Sequence, residues 1–183
     1  HIGFDISQTG HSKAGCGYFA HAMITALTAT FPDNRYSAYP SFGDFYFDPR
    51  MPLSTPSPRA NVSYGPRHLT GESARHFWTQ PNLDKALGFP DIVHSNNFWT
   101  PSRLVQSRVI YTLYDTGFVV DPSWSTEANR IGCFNGMFAS AAYADFVVAI
   151  SQHSRQHYLA MFPHFPEDRV RVVYPCSRFT DAD

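Results

Sequence analysis

Long apolar runs and an excess of basic residues are both missing from this sequence of 183 residues. No stretch of about 18 or more apolar residues occurs, and residues 1–20 lack a basic segment followed by an apolar one. We therefore expect neither a membrane-spanning helix nor a secretory signal. The 14 lysines and arginines are balanced by 15 acidic residues, which argues against a domain that neutralises a nucleic-acid backbone.

Cysteine is also scarce in the chain. Its three cysteines, Cys16, Cys133 and Cys176, are odd in number and far apart. This spacing predicts neither a disulfide framework nor a zinc site, and it fits a reducing compartment. We expect the three thiols to be buried as small hydrophobic side chains.

Short runs rich in β-branched and aromatic residues alternate with helical stretches along the chain. The predicted strands are 2–7, 35–41, 61–65, 91–94, 108–114, 145–150 and 169–174, and the predicted helices are one from residue 17, 72–87 interrupted at Pro81, 125–144 and 154–162. This alternation predicts an α/β fold with a doubly wound, Rossmann-like parallel sheet. In such sheets ligands bind beyond the carboxyl ends of the strands, so the polar residues there are the candidates for a site.

The first predicted helix and the region after the second strand differ in character. Phe19, Met23, Leu27 and Phe31 recur every four residues, which predicts an apolar stripe docked on the sheet. The irregular region 42–60 contains Phe45, Tyr46 and Phe47, and Phe98 and Trp99 follow the fourth strand. Exposed aromatic rings there would suit stacking on sugars or a lipid-linked acceptor, and the same rings could instead cover the sheet.

The loop before the first helix permits three interpretations. Residues 15–20, GCGYFA, fit the dinucleotide pattern G-x-G-x-x-A, in which backbone N–H groups approach a pyrophosphate. Against a dinucleotide, the loop after the first strand is long and no acidic residue follows the second strand to hold a ribose. Alternatively, the helix N-terminus and Lys13 bind another anion, or the glycines only permit a tight loop.

Two further patterns predict other chemistry. Residues 10–14, GHSKA, resemble a nucleophile elbow, in which Ser12 with Asp115 and His153 would form a hydrolase triad. The elbow needs an oxyanion donor from an earlier strand, and only nine residues precede Gly10. His153 and His157 stand four apart as metal ligands can, but without a third ligand we expect a solvated helix face and no metal.

Five segments in one order resemble the N-terminal domain of the family 4 (group 1) glycosyltransferases, which are retaining enzymes with the two-domain GT-B fold. The segments are AGCGYFAHAM, DIVHSNN, RVIYTLYDTGFVVDP, ADFVVAISQHSRQHYLAMF and DRVRVVYPCSRF. Together they extend over nearly all of the chain.

The resemblance implies transfer of a sugar from a nucleotide-sugar donor to a glycan or lipid-linked acceptor, as in polysaccharide or lipopolysaccharide biosynthesis. It implies that residues 1–175 form the acceptor-side domain and that 176–183 begin the linker to a donor domain that is absent here. This chain alone would then be inactive, and no cofactor besides the donor as co-substrate is expected. A cytoplasmic location, at most peripheral at the inner face of the cell membrane, would follow.

The resemblance also assigns roles to individual residues. Lys13, Gly15 and Gly17 match the loop near the donor phosphate. Asp115 and Tyr114 match the catalytic His-Asp pair, with Tyr114 in place of the histidine that contacts the sugar. The predicted acceptor-binding residues are Tyr18, His94, Asn96, Ser151 and Ser154. Since the histidine is replaced, a non-catalytic carbohydrate- or nucleotide-binding module is the alternative, and a serine hydrolase is the second one.

Overall fold

The computed structural model describes residues 1–10, 13–43, 59–68 and 70–177. Seven parallel strands form one sheet in the order β3-β2-β1-β4-β5-β6-β7. They are β1 (Ile2–Asp5), β2 (Tyr36–Tyr39), β3 (Val62–Tyr64), β4 (Ile92–Ser95), β5 (Arg108–Leu113), β6 (Phe146–Ala149) and β7 (Val170–Val172). The winding reverses between β1 and β4, which confirms the predicted doubly wound fold and opens a crevice beyond these two strands.

Six α-helices are present in the described part of the chain: α1 (Gly15–Thr30), α2 (Gly71–Trp78), α3 (Leu83–Ala86), α4 (Gly117–Val120), α5 (Glu127–Tyr143) and α6 (Gln152–Met161). Short 3₁₀ turns occupy Pro122–Trp124 and Glu167–Arg169. The predicted break at Pro81 separates α2 from α3. Sequence reasoning missed α4, a single turn too short to show helical periodicity.

Helices cover both faces of the sheet. Along β2, Tyr36 and Ala38 pack in a cluster with Ala20 and Ile24 of α1, whereas the neighbouring Tyr39 packs with Trp78 of α2. Since successive strand side chains point to opposite faces, α1 and α2 lie on opposite sides of the sheet. A third cluster joins α5 and α6 to β5, β6 and β7.

The predicted stripe on α1 needs a correction. The buried residues of the helix are Gly17, Phe19, Ala20, Ile24 and Thr28. Met23 and Leu27 pack at the edge of the cluster, and Phe31 is exposed because it follows the last helical residue. The centre of the buried face therefore passes through positions 20, 24 and 28, one residue from the line of larger side chains.

Two other predictions on composition change with the structure. Cys133 is buried, but Cys16 is only partly buried and Cys176 is exposed. The prediction that all three thiols are buried was therefore wrong. Trp99 is partly buried and packs edge-on against Phe42 and Trp78, so its ring covers the core and does not stand free for stacking on a sugar. Phe45, Tyr46 and Phe47 lie outside the described residues.

We expect two glycines of α5 to respond in opposite ways to alanine. A Cβ at Gly136 would overlap the carbonyl group of Phe98, whereas a Cβ at Gly132 would meet nothing within 4 Å. Gly136→Ala should lower the free energy of unfolding by about 1–3 kcal/mol through overpacking. Gly132→Ala should raise it by up to about 1 kcal/mol because alanine favours the helix. Urea unfolding of both variants checks this, and equal shifts would contradict the close packing.

Asp84 is a buried carboxylate that fixes the chain before β5. Its oxygens accept hydrogen bonds of 2.8–3.2 Å from the backbone N–H groups of Val105, Gln106 and Ser107, and one of 2.9 Å from the Ser107 hydroxyl. Desolvation raises the pKa of Asp84, but these hydrogen bonds outweigh it and the net pKa lies below the ordinary 3.8. The carboxylate therefore favours folding in its ionised form.

We expect Asp84→Asn to cost about 2–4 kcal/mol at pH 7, because an amide cannot accept all of these hydrogen bonds. The sign of the pH dependence follows from the lowered pKa. The stability from Asp84 is complete above the unfolded value near 3.8 and is lost as the pH falls through the folded value. Urea unfolding at pH 7 and pH 3 should show the gap between wild type and variant shrinking at pH 3. A constant gap would contradict the role of the charge.

Candidate functional site

The crevice between β1 and β4 is organised by Asp5, a buried residue at the end of β1. Asp5 accepts hydrogen bonds from the backbone N–H of Ser7 at 2.8 Å and of Asn96 at 3.0 Å, one on each carboxylate oxygen. The side-chain amide of Asn96 donates to the backbone carbonyl of Asp5 at 3.2 Å. Burial raises the pKa of Asp5 to about 6, against the effect of the hydrogen bonds from Ser7 and Asn96. These contacts join the loops after β1 and β4.

A polar chain continues from Asn96 under the same edge of the sheet. The Thr112 hydroxyl donates to Oδ1 of Asn96 at 2.9 Å, and Nε2 of His94 lies 2.9 Å from the same hydroxyl. Burial lowers the pKa of His94 to about 3, so its ring is neutral and Nε2–H donates to Thr112. His94 and Asn96 are 5% and 0% exposed. In this conformation these two predicted acceptor-binding residues therefore lie beneath the crevice surface.

Tyr114 follows β5 and ties the glycine loop to β4. Its hydroxyl lies 3.1 Å from the backbone carbonyl of Cys16 and 3.0 Å from that of Asn96. The ring packs edge-on against Phe19 and Phe98. Burial raises the pKa of Tyr114 well above its ordinary value of 10, so the phenol stays protonated and acts as a donor. The structure thus places this predicted catalytic residue where it holds the start of α1.

We expect Tyr114→Phe to lower the free energy of unfolding by about 1–2 kcal/mol, because the ring contacts stay while the hydrogen-bond donor is lost. Tyr143→Phe is the control, since Tyr143 is an exposed tyrosine of α5. Thermal unfolding of both variants measures the difference. Equal stability of Tyr114→Phe and wild type would show that the hydroxyl does not tie the two carbonyls together.

The glycine loop folds tightly over the start of α1. A Cβ at Gly17 would overlap the carbonyl oxygen of Gln8 and lie 2.6 Å from Cβ of Lys13, whereas a Cβ at Gly15 would have nothing within 4 Å. Only a glycine therefore fits at position 17 without movement of the loop.

The N-terminus of α1 has the properties of an anion site. Its cap residue is Ala14, no side-chain cap bond is formed, and no acidic residue lies in the first turn. The N–H groups of this first turn lie at the positive end of the helix, which favours a bound anion. The Lys13 ammonium lies 4.9 Å from the centroid of the Tyr18 ring. A cavity of about 650 Å³ adjoins this turn, lined by Gly15, Tyr18, Phe19, His21, Ala22, Pro175, Cys176 and Ser177.

A second cavity, of about 760 Å³, lies beyond β5 and β6. Its polar lining includes Asp115, Thr116, Asn129, His153 and His157, and its aromatic lining includes Phe98, Phe118 and Trp124. Asp115 is exposed, and its Oδ1 accepts a hydrogen bond of 2.8 Å from the Gly117 N–H. Nδ1 of His157 lies 3.0 Å from the Thr116 hydroxyl, and the rings of His153 and His157 have centroids 4.0 Å apart. We call this space the Asp115 cavity.

Ser151 and Ser154 connect α6 to the same edge. The Ser151 hydroxyl caps α6 by accepting from the Ser154 N–H at 3.0 Å, and the Ser154 hydroxyl donates to the backbone carbonyl of Tyr114 at 3.0 Å. Ser154 is buried and Ser151 is half-buried. The two serines therefore fix the beginning of α6 against the residue that precedes Asp115.

The structure also bears on the other interpretations. Asp115 and His153 line one cavity, but the candidate nucleophile Ser12 lies outside the described residues. Within residues 1–10, 13–43, 59–68 and 70–177, no three His, Cys, Asp or Glu side chains are grouped to hold a metal ion. Over the same residues, none of the helices has both the length and the apolar character that crossing a bilayer requires.

Asp5 and Thr112 were missed by sequence reasoning. Both belong to strands and both are buried. The sequence-based candidates were polar residues in the loops after the strands, so these two residues were not among them. An acidic residue at the carboxyl end of the first strand was the available signal. The isoleucine and phenylalanine around Asp5 make it look like an ordinary member of the alternating strand pattern.

The chain was compared with protein-family models, curated proteins and solved structures, and only the solved structures gave a match. No family model and no curated protein matches the chain. Among solved structures, the fold is similar to that of Anabaena HepE in complex with UDP and glucose, with a TM-score of 0.51 and 16% identity. The match covers 96% of this chain and 44% of that chain, so this chain spans less than half the length of the neighbour. The α/β, Rossmann-like sheet is thus shared with a protein that binds UDP and glucose.

Proposed function

We propose that this chain is the N-terminal, acceptor-side domain of a retaining family 4 glycosyltransferase of the GT-B type. The reaction would move a sugar from a nucleotide sugar to a glycan or lipid-linked acceptor. The observation that carries the proposal is the N-terminus of α1, which follows Lys13 and has no acidic residue in its first turn, at the same carboxyl edge of the sheet as the Asp115 cavity. The fold shared with Anabaena HepE, which holds UDP and glucose, supports it.

The proposed mechanism starts at the glycine loop. Breaking a sugar–phosphate bond puts negative charge on the leaving diphosphate, which preorganised N–H groups and cations stabilise. The N–H groups around Gly15 and Gly17, together with Lys13, would supply that stabilisation. Gly17 keeps the loop close to the helix, so that these groups are in place before the donor binds.

Asp115 is the group we propose to contact the reacting sugar. Its Oδ1 accepts from Gly117, which fixes the carboxylate at the mouth of the cavity. A fixed carboxylate can orient sugar hydroxyls and stabilise positive charge that develops at the anomeric carbon. His153 lines the same cavity and would border the acceptor. Tyr18, which lines the cavity beside α1, and Ser151, which caps α6, would contact only an acceptor that extends beyond the Asp115 cavity.

The buried network acts as the support of this edge. Tyr114 links the start of α1 to the loop after β4, and Asp5 links the loops after β1 and β4. In the proposal Tyr114, His94 and Asn96 position the groups that bind, in place of the direct sugar and acceptor contacts that the family pattern assigns. The non-catalytic binding module is the second candidate, since Tyr114 takes the place of the family's histidine.

The test is nucleotide release from a panel of nucleotide sugars by the full product of the gene that encodes this chain. The 183-residue chain is assayed alongside. We expect release by the full product with at least one donor in the presence of acceptors, and none by the chain alone. No release by a folded full product that still binds nucleotide or sugar would favour the binding module. Labelling of Ser12 by a fluorophosphonate would instead favour the hydrolase.

A further inference from the structure

A row of apolar side chains remains exposed on α5. Ile131, Phe134 and Phe138 follow the i, i+3, i+7 spacing of one helix face, and they are 54%, 43% and 44% exposed. The rings of Phe134 and Phe138 stack with centroids 4.2 Å apart. Exposed apolar patches of this kind mark binding surfaces when they adjoin a cavity.

A groove of about 330 Å³ runs beside this row, and we call it the α5 groove. Its lining is Phe118, Val119, Pro122, Arg130, Ile131, Phe134 and Asn135. Apolar side chains dominate it, with Arg130 and Asn135 as its polar members. Its lining suits a hydrocarbon chain and offers few hydrogen-bond partners to a sugar.

The α5 groove and the Asp115 cavity are neighbours. Phe118 lines both of them. Helix α5 contributes Asn129 and Cys133 to the cavity, and Ile131 and Phe134 to the groove, so adjacent sides of one helix face the two spaces. A polar space and an apolar space thus meet at a shared wall.

We propose that the acceptor is an amphiphile, with a sugar head in the Asp115 cavity and a hydrocarbon chain in the α5 groove. This inference rests on the proposed function. In the cavity, Asp115, Asn129 and His153 offer hydrogen bonds to hydroxyls, and the 69% exposed Trp124 offers an apolar ring face. A free glycan would leave the groove empty, whereas a head joined to a chain fills both spaces.

The charges favour a single amphiphile over attachment to an anionic membrane surface. Arg130 is the one basic residue in the groove lining, and the chain carries a formal net charge of −1. Electrostatic binding to anionic lipids needs a cluster of basic residues. The contact with hydrocarbon would therefore be made by the tail of the bound acceptor.

Calorimetric titration of the chain with glucose and with alkyl glucosides of increasing length, below their micelle concentrations, tests the proposal. We expect the Kd to fall about fourfold for each methylene that enters the groove. The double variant Ile131→Asn, Phe134→Ser should weaken octyl glucoside binding at least tenfold at a temperature where thermal unfolding shows that the variant is still folded. Phe31→Ser is the matched control, because Phe31 is an exposed aromatic residue at the end of α1.

Several results would overturn this assignment. They are a Kd that does not depend on alkyl chain length, equal losses of glucoside affinity in the double variant and in Phe31→Ser, or self-association that the double variant abolishes without changing glucoside binding.

The proposed function is tested separately from the acceptor surface. If the full product releases nucleotide and uses free sugars as well as alkyl glycosides, the transferase stands and the amphiphilic acceptor is wrong. If chain-length dependence is found without nucleotide release, the surface stands and the transferase is wrong.

Discussion

Gly17→Ala should destabilise the chain and, under the proposed function, impair sugar transfer by the full gene product. The new methyl group would overlap the carbonyl oxygen of Gln8, so the loop that ends at Lys13 must move away from α1. Overpacking of this kind costs about 1–3 kcal/mol of unfolding free energy. A displacement of about 1 Å at groups that contact the reacting phosphate can lower turnover about 100-fold.

Gly15→Ala is the matched control for Gly17→Ala. Because a Cβ at Gly15 meets nothing within 4 Å, its unfolding free energy should stay within about 0.5 kcal/mol of wild type. Urea unfolding and nucleotide release are measured on both variants. Gly17→Ala with wild-type stability and turnover would contradict the tight loop. A Gly15→Ala variant that is stable but slow would indicate that position 15 faces the phosphate.

Asp115→Asn should reduce sugar transfer by the full product about 100-fold, because the neutral amide cannot stabilise developing positive charge. The fold should be unaffected, since Asp115 is exposed and the amide oxygen can still accept from the Gly117 N–H. Turnover and thermal unfolding are the two measurements.

Asp121→Asn provides a control with the same local geometry. Asp121 accepts from the N–H of Ser123, two residues on, at 2.9 Å, just as Asp115 accepts from Gly117. Asp121 is not part of the lining of the Asp115 cavity. An equal loss of turnover in the two variants would indicate that sugar transfer depends on the turn geometry and not on the carboxylate at position 115. Unchanged activity in Asp115→Asn would remove Asp115 from the proposed mechanism.

The order of strands and helices could be predicted because it depends on local sequence. Runs such as Arg108–Leu113 and Phe146–Ala149 are β-branched or aromatic and short, and the helices between them show their own period. Because the predicted strands are parallel, the same order also indicated that ligands bind at the carboxyl edge of the sheet. Most strand ends were one or two residues shorter than predicted, as at β1, where the pattern to residue 7 continued into the loop, whereas β4 extends one residue further, to Ser95.

The arrangement inside the site could not be predicted, because its contacts join residues far apart in the chain. The bond from Asn96 to Asp5 spans 91 residues, and the one from Tyr114 to Cys16 spans 98. No local pattern encodes such a pairing. Sequence also could not tell the partly buried Trp99, which packs against the core, from the 69% exposed Trp124, because only packing separates them.

Under the proposed function, the contacts of Tyr114 give a physical reason why a tyrosine can stand where the family pattern has a histidine. The hydroxyl shares its one proton between two backbone carbonyls, and the neighbouring Asp115 lines the cavity. Tyr114 would then hold the loop in position, and the adjacent Asp115 would contact the sugar. Under the proposed function, Tyr114→His should lose the hydrogen bond to the glycine loop and gain a contact with the sugar.

A crystal structure of the full gene product with a nucleotide sugar bound tests the proposed function most directly. We expect the diphosphate within hydrogen-bond distance of backbone N–H groups in the first turn of α1, and the sugar directed toward Asp115. A diphosphate bound away from α1, with the Asp115 cavity empty, would contradict the assignment of this edge as the site of sugar transfer.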